Sequence, residues 1–156
     1  MILIIDKILI SMITSNIGID LIKQFEGCKL KAYLCPAGVW TIGFGNTYYL
    51  DGSKVVRGQQ INQNEANLLL AKLLPKYEAI VNKNIKVALN QNQYDSLVSF
   101  CWNCGSSQNL FNLINQRATN EVIYNWWINH YVTGGGKLLQ GLVKRRKIEA
   151  ELFIKK

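Results

Sequence analysis

Phe25-Glu26-Gly27-Cys28-Lys29-Leu30-Lys31-Ala32-Tyr33-Leu34-Cys35-Pro36-Ala37-Gly38-Val39-Trp40-Thr41-Ile42-Gly43-Phe44-Gly45-Asn46 is the stretch where one local pattern gives way to another. Just before it, apolar residues recur at Ile17, Leu21, Ile22 and Phe25, the spacing of one helix face. Ser15 or Asn16 can cap the start of that helix, and Gly27 can end it in a left-handed conformation. Inside the stretch, β-branched and aromatic residues are interleaved with Gly and Pro, and an Asp51-Gly52 turn follows. This predicts a small antiparallel sheet of two or three short strands.

From Asn62 onward the period is helical. Asn62-Gln63-Asn64-Glu65 reads as a capping box before Leu68, Leu69, Leu73 and Leu74, with Pro75 expected to kink or end that helix. Asn90-Gln91-Asn92-Gln93 is a second capping box before Tyr94, Leu97, Val98 and Cys101, and Gly105 is a plausible stop. Shorter helical runs follow at about 109–116 and 120–131. Gly134-Gly135-Gly136 reads as a hinge or turn, and a last amphipathic helix covers roughly 141–154. The expected fold class is α+β: a small N-terminal sheet lobe (about 14–60), a larger C-terminal helical lobe (about 61–156), and a cleft between them. Residues 1–13 form a separate apolar arm. A spanning helix needs about 20 apolar residues, and this run is shorter and broken by Asp6 and Lys7. It also lacks the basic start and small-residue cleavage site of an export signal. The arm is therefore read as packed on the domain, or as lying upstream of a start at Met12, with a weak transient membrane anchor as the alternative.

The chain of 156 residues is 49% apolar and only 18% charged, which excludes disorder and fibrous repeats. Its net charge of +8 calls for an anionic partner: nucleic acid, an acidic membrane, or an acidic polysaccharide. Lys137, Lys144, Arg145, Arg146, Lys147, Lys155 and Lys156 stand against only Glu149 and Glu151, so more than half of the excess lies in the last stretch. Few basic residues accompany the aromatics of the sheet, which argues against nucleic acid. Leu142, Ile148, Leu152 and Phe153 can dock the basic last helix on the core rather than on a membrane. Cys101 and Cys104 have metal or redox spacing, but His130 is the single histidine, and helical periodicity runs through both thiols. They are read as core residues, and no metal or cofactor is expected.

Glu26 falls at the end of an apolar helix beside Phe25. Removal from water disfavours a carboxylate's charged form, which suits a general acid. A hairpin can bring Cys35 and Thr41 to one side of a groove with Glu26 on the other.

The spacing Glu26, eight residues, Cys35, five residues, Thr41 resembles the signature of the phage-type lysozymes, or endolysins, of glycoside hydrolase family 24, in which the middle position is Asp or Cys. Lys31-Ala32-Tyr33, Trp40-Thr41-Ile42-Gly43-Phe44-Gly45, Leu89 to Phe100, and Gly141-Leu142-Val143-Lys144-Arg145-Arg146 with Glu149 extend the resemblance over about 13–154. It implies a lysozyme-like fold. It also implies cleavage of the β-1,4 bond between N-acetylmuramic acid and N-acetylglucosamine in peptidoglycan, leading to host lysis. Glu26 would protonate the glycosidic oxygen, Cys35 would take the place of the usual Asp, and Thr41 would hold the attacking water. Arg145 would bias the ionisation of Glu26 or touch the wall, and Gly45 and Asn46 are further substrate-binding candidates. Asn46 stands where many relatives have His, which reads as a change in stability. Cys28 is a candidate disulfide partner for Cys35. The partner would be the glycan strand, with no nucleic acid and no stable membrane span. The protein would be a monomer made in the host cytoplasm, reaching the wall through a holin. The alternative is a catalytically impaired wall-binding protein of the same fold.

Overall fold

The computed structural model describes residues 11–156. Residues 1–10, most of the expected arm, lie outside the described residues. At its visible end the chain is tied down: Asn82 Nδ2 donates to Ser11 Oγ (3.1 Å), and Gln91 Nε2 donates to the Ile13 carbonyl (3.0 Å).

Helix α1 (Asn16–Glu26) starts at Ser15, whose Oγ accepts from Ile17 N–H, and stops at Gly27, whose φ of 64° few other residues tolerate. Thr14 donates through its backbone N–H and its hydroxyl to Glu78, and Ser15 N–H donates to Asp95 Oδ1 (2.9 Å), so the start of α1 is stapled to two later helices. Gly18 allows the close approach, since a Cβ there would meet Asp95 Cβ at 2.9 Å.

Strands β1 (Lys29–Leu34) and β2 (Trp40–Gly43) form the expected antiparallel hairpin, with Tyr33 opposite Thr41 and Leu34 opposite Trp40. The loop Pro36-Ala37-Gly38 closes through Gly38 N–H to the Cys35 carbonyl (2.8 Å) and Cys35 N–H to the Val39 carbonyl (3.0 Å), with Gly38 at φ 77°. This is a tight turn followed by a left-handed glycine, a geometry that matches strand twist. The third strand is reduced to a bridge between Lys31 and Gln60.

The helical lobe comprises α2 (Gln63–Asn84), α3 (Gln91–Cys104), α4 (Gln108–Asn115), α5 (Asn120–Asn129) and α6 (Gln140–Ile154). Both capping boxes are formed, at Asn62/Glu65 and Asn90/Gln93. α3 is the central helix: all eight residues from Tyr94 to Cys101 are buried. A helix enclosed on every side needs no polar face.

The structure corrects one expectation here and narrows another, the glycine run, from hinge or turn to turn. α2 runs unbroken through Pro75. Pro75 and Ala71 are both exposed, so water can satisfy the Ala71 carbonyl that Pro75 leaves without a donor. Pro75→Ala should therefore stabilise the protein by about 1–3 kcal/mol, measurable as a raised denaturant midpoint. The glycine run is the turn of a second hairpin, β3 (Thr133–Gly134) with β4 (Lys137–Leu138), in which Gly135 and Gly136 take φ of 56° and 74°. Two consecutive positive φ values are what a two-residue hairpin loop requires.

Candidate active site

The site is built where the C-terminal end of α1 meets the hairpin. Because α1 ends at Glu26, its carboxyl projects beyond the helix with its side chain 24% exposed. Arg145 reaches it from α6: Nη1 lies 2.6 Å from Glu26 Oε1. The rest of that guanidinium is fixed, with Nε 3.0 Å from Glu149 Oε1 and Nη2 donating to the Ser99 carbonyl at 3.1 Å. It also sits over the Phe25 ring at 5.4 Å. Tyr77 faces Glu26 from α2, and burial, then the charge of Glu26, pushes its phenol up.

The hairpin supplies the second half. Thr41 lies opposite Tyr33, and Cys35 follows two residues after Tyr33, so Cys35 and Thr41 are diagonal neighbours on one face. Thr41 is buried and its Oγ1 donates to the Val39 carbonyl (3.0 Å), which leaves the oxygen free to accept. Cys35 is half-buried. A backbone hydrogen bond from Val39 pulls its thiol below the ordinary thiol range, helped by Ala37 and the Thr41 hydroxyl and opposed by burial. Gly43, the partner of Lys29, follows Thr41 by two residues, and Lys29 follows Glu26 by three. The register sets Thr41, opposite Tyr33, beside Cys35 near the turn of the hairpin, while Glu26 precedes Lys29 at its open end.

Gly45 is exposed, with open space where a Cβ would be. Asn46 is buried, and its Nδ2 donates to the Leu69 carbonyl (3.2 Å), tying the sheet lobe to α2. That placement fits a change in stability better than a contact with glycan. Arg145 is only 3% exposed, behind Glu26 rather than on an open surface, which argues against a direct wall contact.

Two further readings change. Cys28 and Cys35 flank the full length of β1, and the six extended residues between them set the two about 23 Å apart, seven steps of about 3.3 Å. A disulfide accepts Cα separations of about 4.4–6.8 Å, so a bridge within the chain would require β1 to unpair. All four cysteines are free. Arg145 and Arg146 are both buried against Glu26 and Glu149. The surface charge of the last stretch is therefore carried by five exposed lysines against Glu151.

Sequence reasoning passed over Tyr77, Ser99 and the role of Glu149. Glu149 had a signal: it lies four residues after Arg145 and three after Arg146, the spacings of helical ion pairs. Ser99 and Tyr77 come from other helices and had none. Among the described residues no group of three or more His, Cys, Asp or Glu could hold a metal ion. No described helix is long and apolar enough to cross a membrane.

A family model described as phage lysozyme matches residues 23–149. The chain is 37% identical over 145 residues to the endolysin of Acyrthosiphon pisum secondary endosymbiont phage 1, covering 89% of this chain and 96% of that one. It is 36% identical to the endolysin of Salmonella phage P22, covering 91% and 97%. Among solved structures, the endolysin from Escherichia coli O157:H7 phage FAHEc1 superposes with a TM-score of 0.79 at 37% identity, covering 92% of this chain and 94% of that chain.

Proposed function

The chain belongs to the phage lysozyme family, and from that premise we propose that it cleaves the β-1,4 bond between N-acetylmuramic acid and N-acetylglucosamine in bacterial peptidoglycan. The observation that carries this reading is the partly exposed edge of Glu26. One carboxyl oxygen is clamped by Arg145 at 2.6 Å and the other has no partner among the described residues. That is the arrangement of a positioned proton donor beside a cleft.

In this reading Glu26 protonates the glycosidic oxygen as the bond breaks. Thr41 accepts a hydrogen bond from the attacking water, and Cys35, as thiolate, either takes that water's proton or stabilises the positive charge developing on the sugar. Arg145 touches the acid and not the substrate, so its role is positioning. Gly45 offers exposed backbone without a side chain just beyond β2. The test is digestion of purified peptidoglycan with reducing ends assayed in the products. Soluble fragments carrying new reducing ends support muramidase action, and retained wall binding without cleavage would leave a wall-binding protein.

The protein would be made in the host cytoplasm, act as a monomer, and reach the wall through a holin. Its surface charge is the means of holding that wall. The carriers are exposed: Lys137, Lys144, Lys147, Lys155 and Lys156 near the C-terminus, and Lys29, Lys31, Lys54 and Arg57 on the sheet lobe. Exposed charges are screened at high ionic strength, where the Debye length falls from about 10 Å at 0.1 M to about 3 Å at 1 M. Lysis of cell walls should therefore fall several-fold across that range while the circular dichroism spectrum is unchanged. A salt-independent rate would detach the charge from the substrate.

A further inference from the structure

Glu149 is fully buried, yet it pairs with two arginines. Its Oε1 accepts from Ser99 Oγ (2.7 Å), Arg145 Nε (3.0 Å) and Arg146 Nη2 (3.0 Å). Its Oε2 accepts from Trp127 Nε1 (3.3 Å) and lies 2.8 Å from Arg146 Nε. Three helices, α3, α5 and α6, converge on one carboxylate. A buried ion persists only when it is paired and hydrogen-bonded, and this one is saturated.

The consequence falls on Arg145. Glu149 holds its Nε and the Ser99 carbonyl holds its Nη2, so the remaining nitrogen, Nη1, is aimed at Glu26. We propose that Glu149 is a positioning residue for glycan cleavage: it orients Arg145 and shares its charge, so that Glu26 is held in place yet can still carry a proton. The inference rests on Glu26 being the general acid.

The charges around the two carboxylates can be named. Arg145 from α6 and Tyr77 from α2 face Glu26. Arg145 and Arg146 from its own helix, and Cys101 and Cys104 from α3, face Glu149, with Ser99 and Trp127 as neutral donors. Burial pushes the Cys101 thiol up to about 12 and raises that of Cys104 despite the nearby Arg146, so both thiols stay neutral near pH 7. The network is therefore two guanidinium groups balanced by two carboxylates. Neutralising Glu149 leaves two cations to one anion, which favours the ionised form of Glu26.

The experiment is the pH dependence of kcat/KM on solubilised peptidoglycan for Glu149→Gln, Glu149→Asp, the double variant Arg146→Gln/Glu149→Gln, and Glu26→Gln, each checked by thermal melting. A general acid works while protonated, so activity falls on the basic limb of the profile. In Glu149→Gln that limb should move to lower pH by about one unit, with activity about tenfold lower above it and regained below it. Glu149→Asp keeps the charge and should keep the limb where it is in the wild type. The double variant buries no unbalanced charge and should fold where the single one does not. Its limb should also fall, by less, because a positive charge is lost along with the negative one and only the negative one is paired with Arg145. A merely structural role would lower activity by one factor at every pH. An unmoved limb in folded Glu149→Gln overturns the proposal, as does an unmoved limb in the double variant if only that one folds, or failure of both to fold. Full activity in Glu26→Gln would be the separate failure of the general-acid reading.

Discussion

Glu26→Gln should lower the rate of glycan cleavage by about 10³-fold, within the range of about 10²–10⁴ that a positioned general acid contributes. Gln has nearly the shape of Glu but no proton to give. Its amide oxygen can still accept from Arg145 Nη1, and Arg145 keeps Glu149 and the Ser99 carbonyl. The buried network therefore survives the change, and the variant should fold and sediment with cell walls as the wild type does. The loss should appear in kcat with KM little altered, because the proton is needed only as the bond breaks. Rates of reducing-end release beside a pull-down on insoluble wall separate the two effects. A loss of less than about threefold would remove Glu26 from the chemistry.

Cys35→Ala should cost about 10²-fold, and a thiol-alkylating reagent should bring the wild type to the same residual rate while leaving Cys35→Ala unchanged. Cys28 and Cys104 are also partly accessible, so the unchanged behaviour of Cys35→Ala is the control that assigns the effect. The sign of the pH dependence follows from the thiol. Activity that needs thiolate is present above the thiol's pKa and is lost as pH falls through it. The Val39 backbone hydrogen bond draws that point below the ordinary thiol value of about 8.5. A carboxylate ionises at about 3.9, so Cys35→Asp should remain active and carry its acid limb several units lower. If Cys35→Ala keeps full activity, Thr41 alone suffices to hold the water. If Cys35→Asp shows the wild-type acid limb, that limb belongs to another group.

The parts of the fold legible in the sequence are those that local chemistry decides. Ser15 and Gly27 delimit α1, the two Asn-initiated capping boxes delimit α2 and α3, and Pro36 with Gly38 sets the turn between β1 and β2. Each needs only neighbours a few residues away. The passage of α2 through Pro75 was not legible, because it depends on which face of the helix meets water. The same holds for charge. Arg145 and Arg146 read as part of a basic tail, and only the packing of α6 against α3 and α5, with Arg145 reaching the end of α1, turns them into buried partners of Glu26 and Glu149. The candidate site is proposed from spacing alone: Glu26, Cys35 and Thr41 stand out along the chain. The supports of that site, Tyr77, Ser99 and Trp127, come from three other helices and carry no local signal. The suggested bridge between Cys28 and Cys35 failed for the converse reason, since closeness in sequence becomes distance once the intervening residues extend as a strand.

The most direct test of the account is to digest purified peptidoglycan with the wild type and with Glu26→Gln, and to count new reducing ends in the soluble products. The account predicts reducing ends that rise with solubilisation in the wild type and nearly vanish in the variant. Solubilisation without new reducing ends, or equal release by the two proteins, would contradict it.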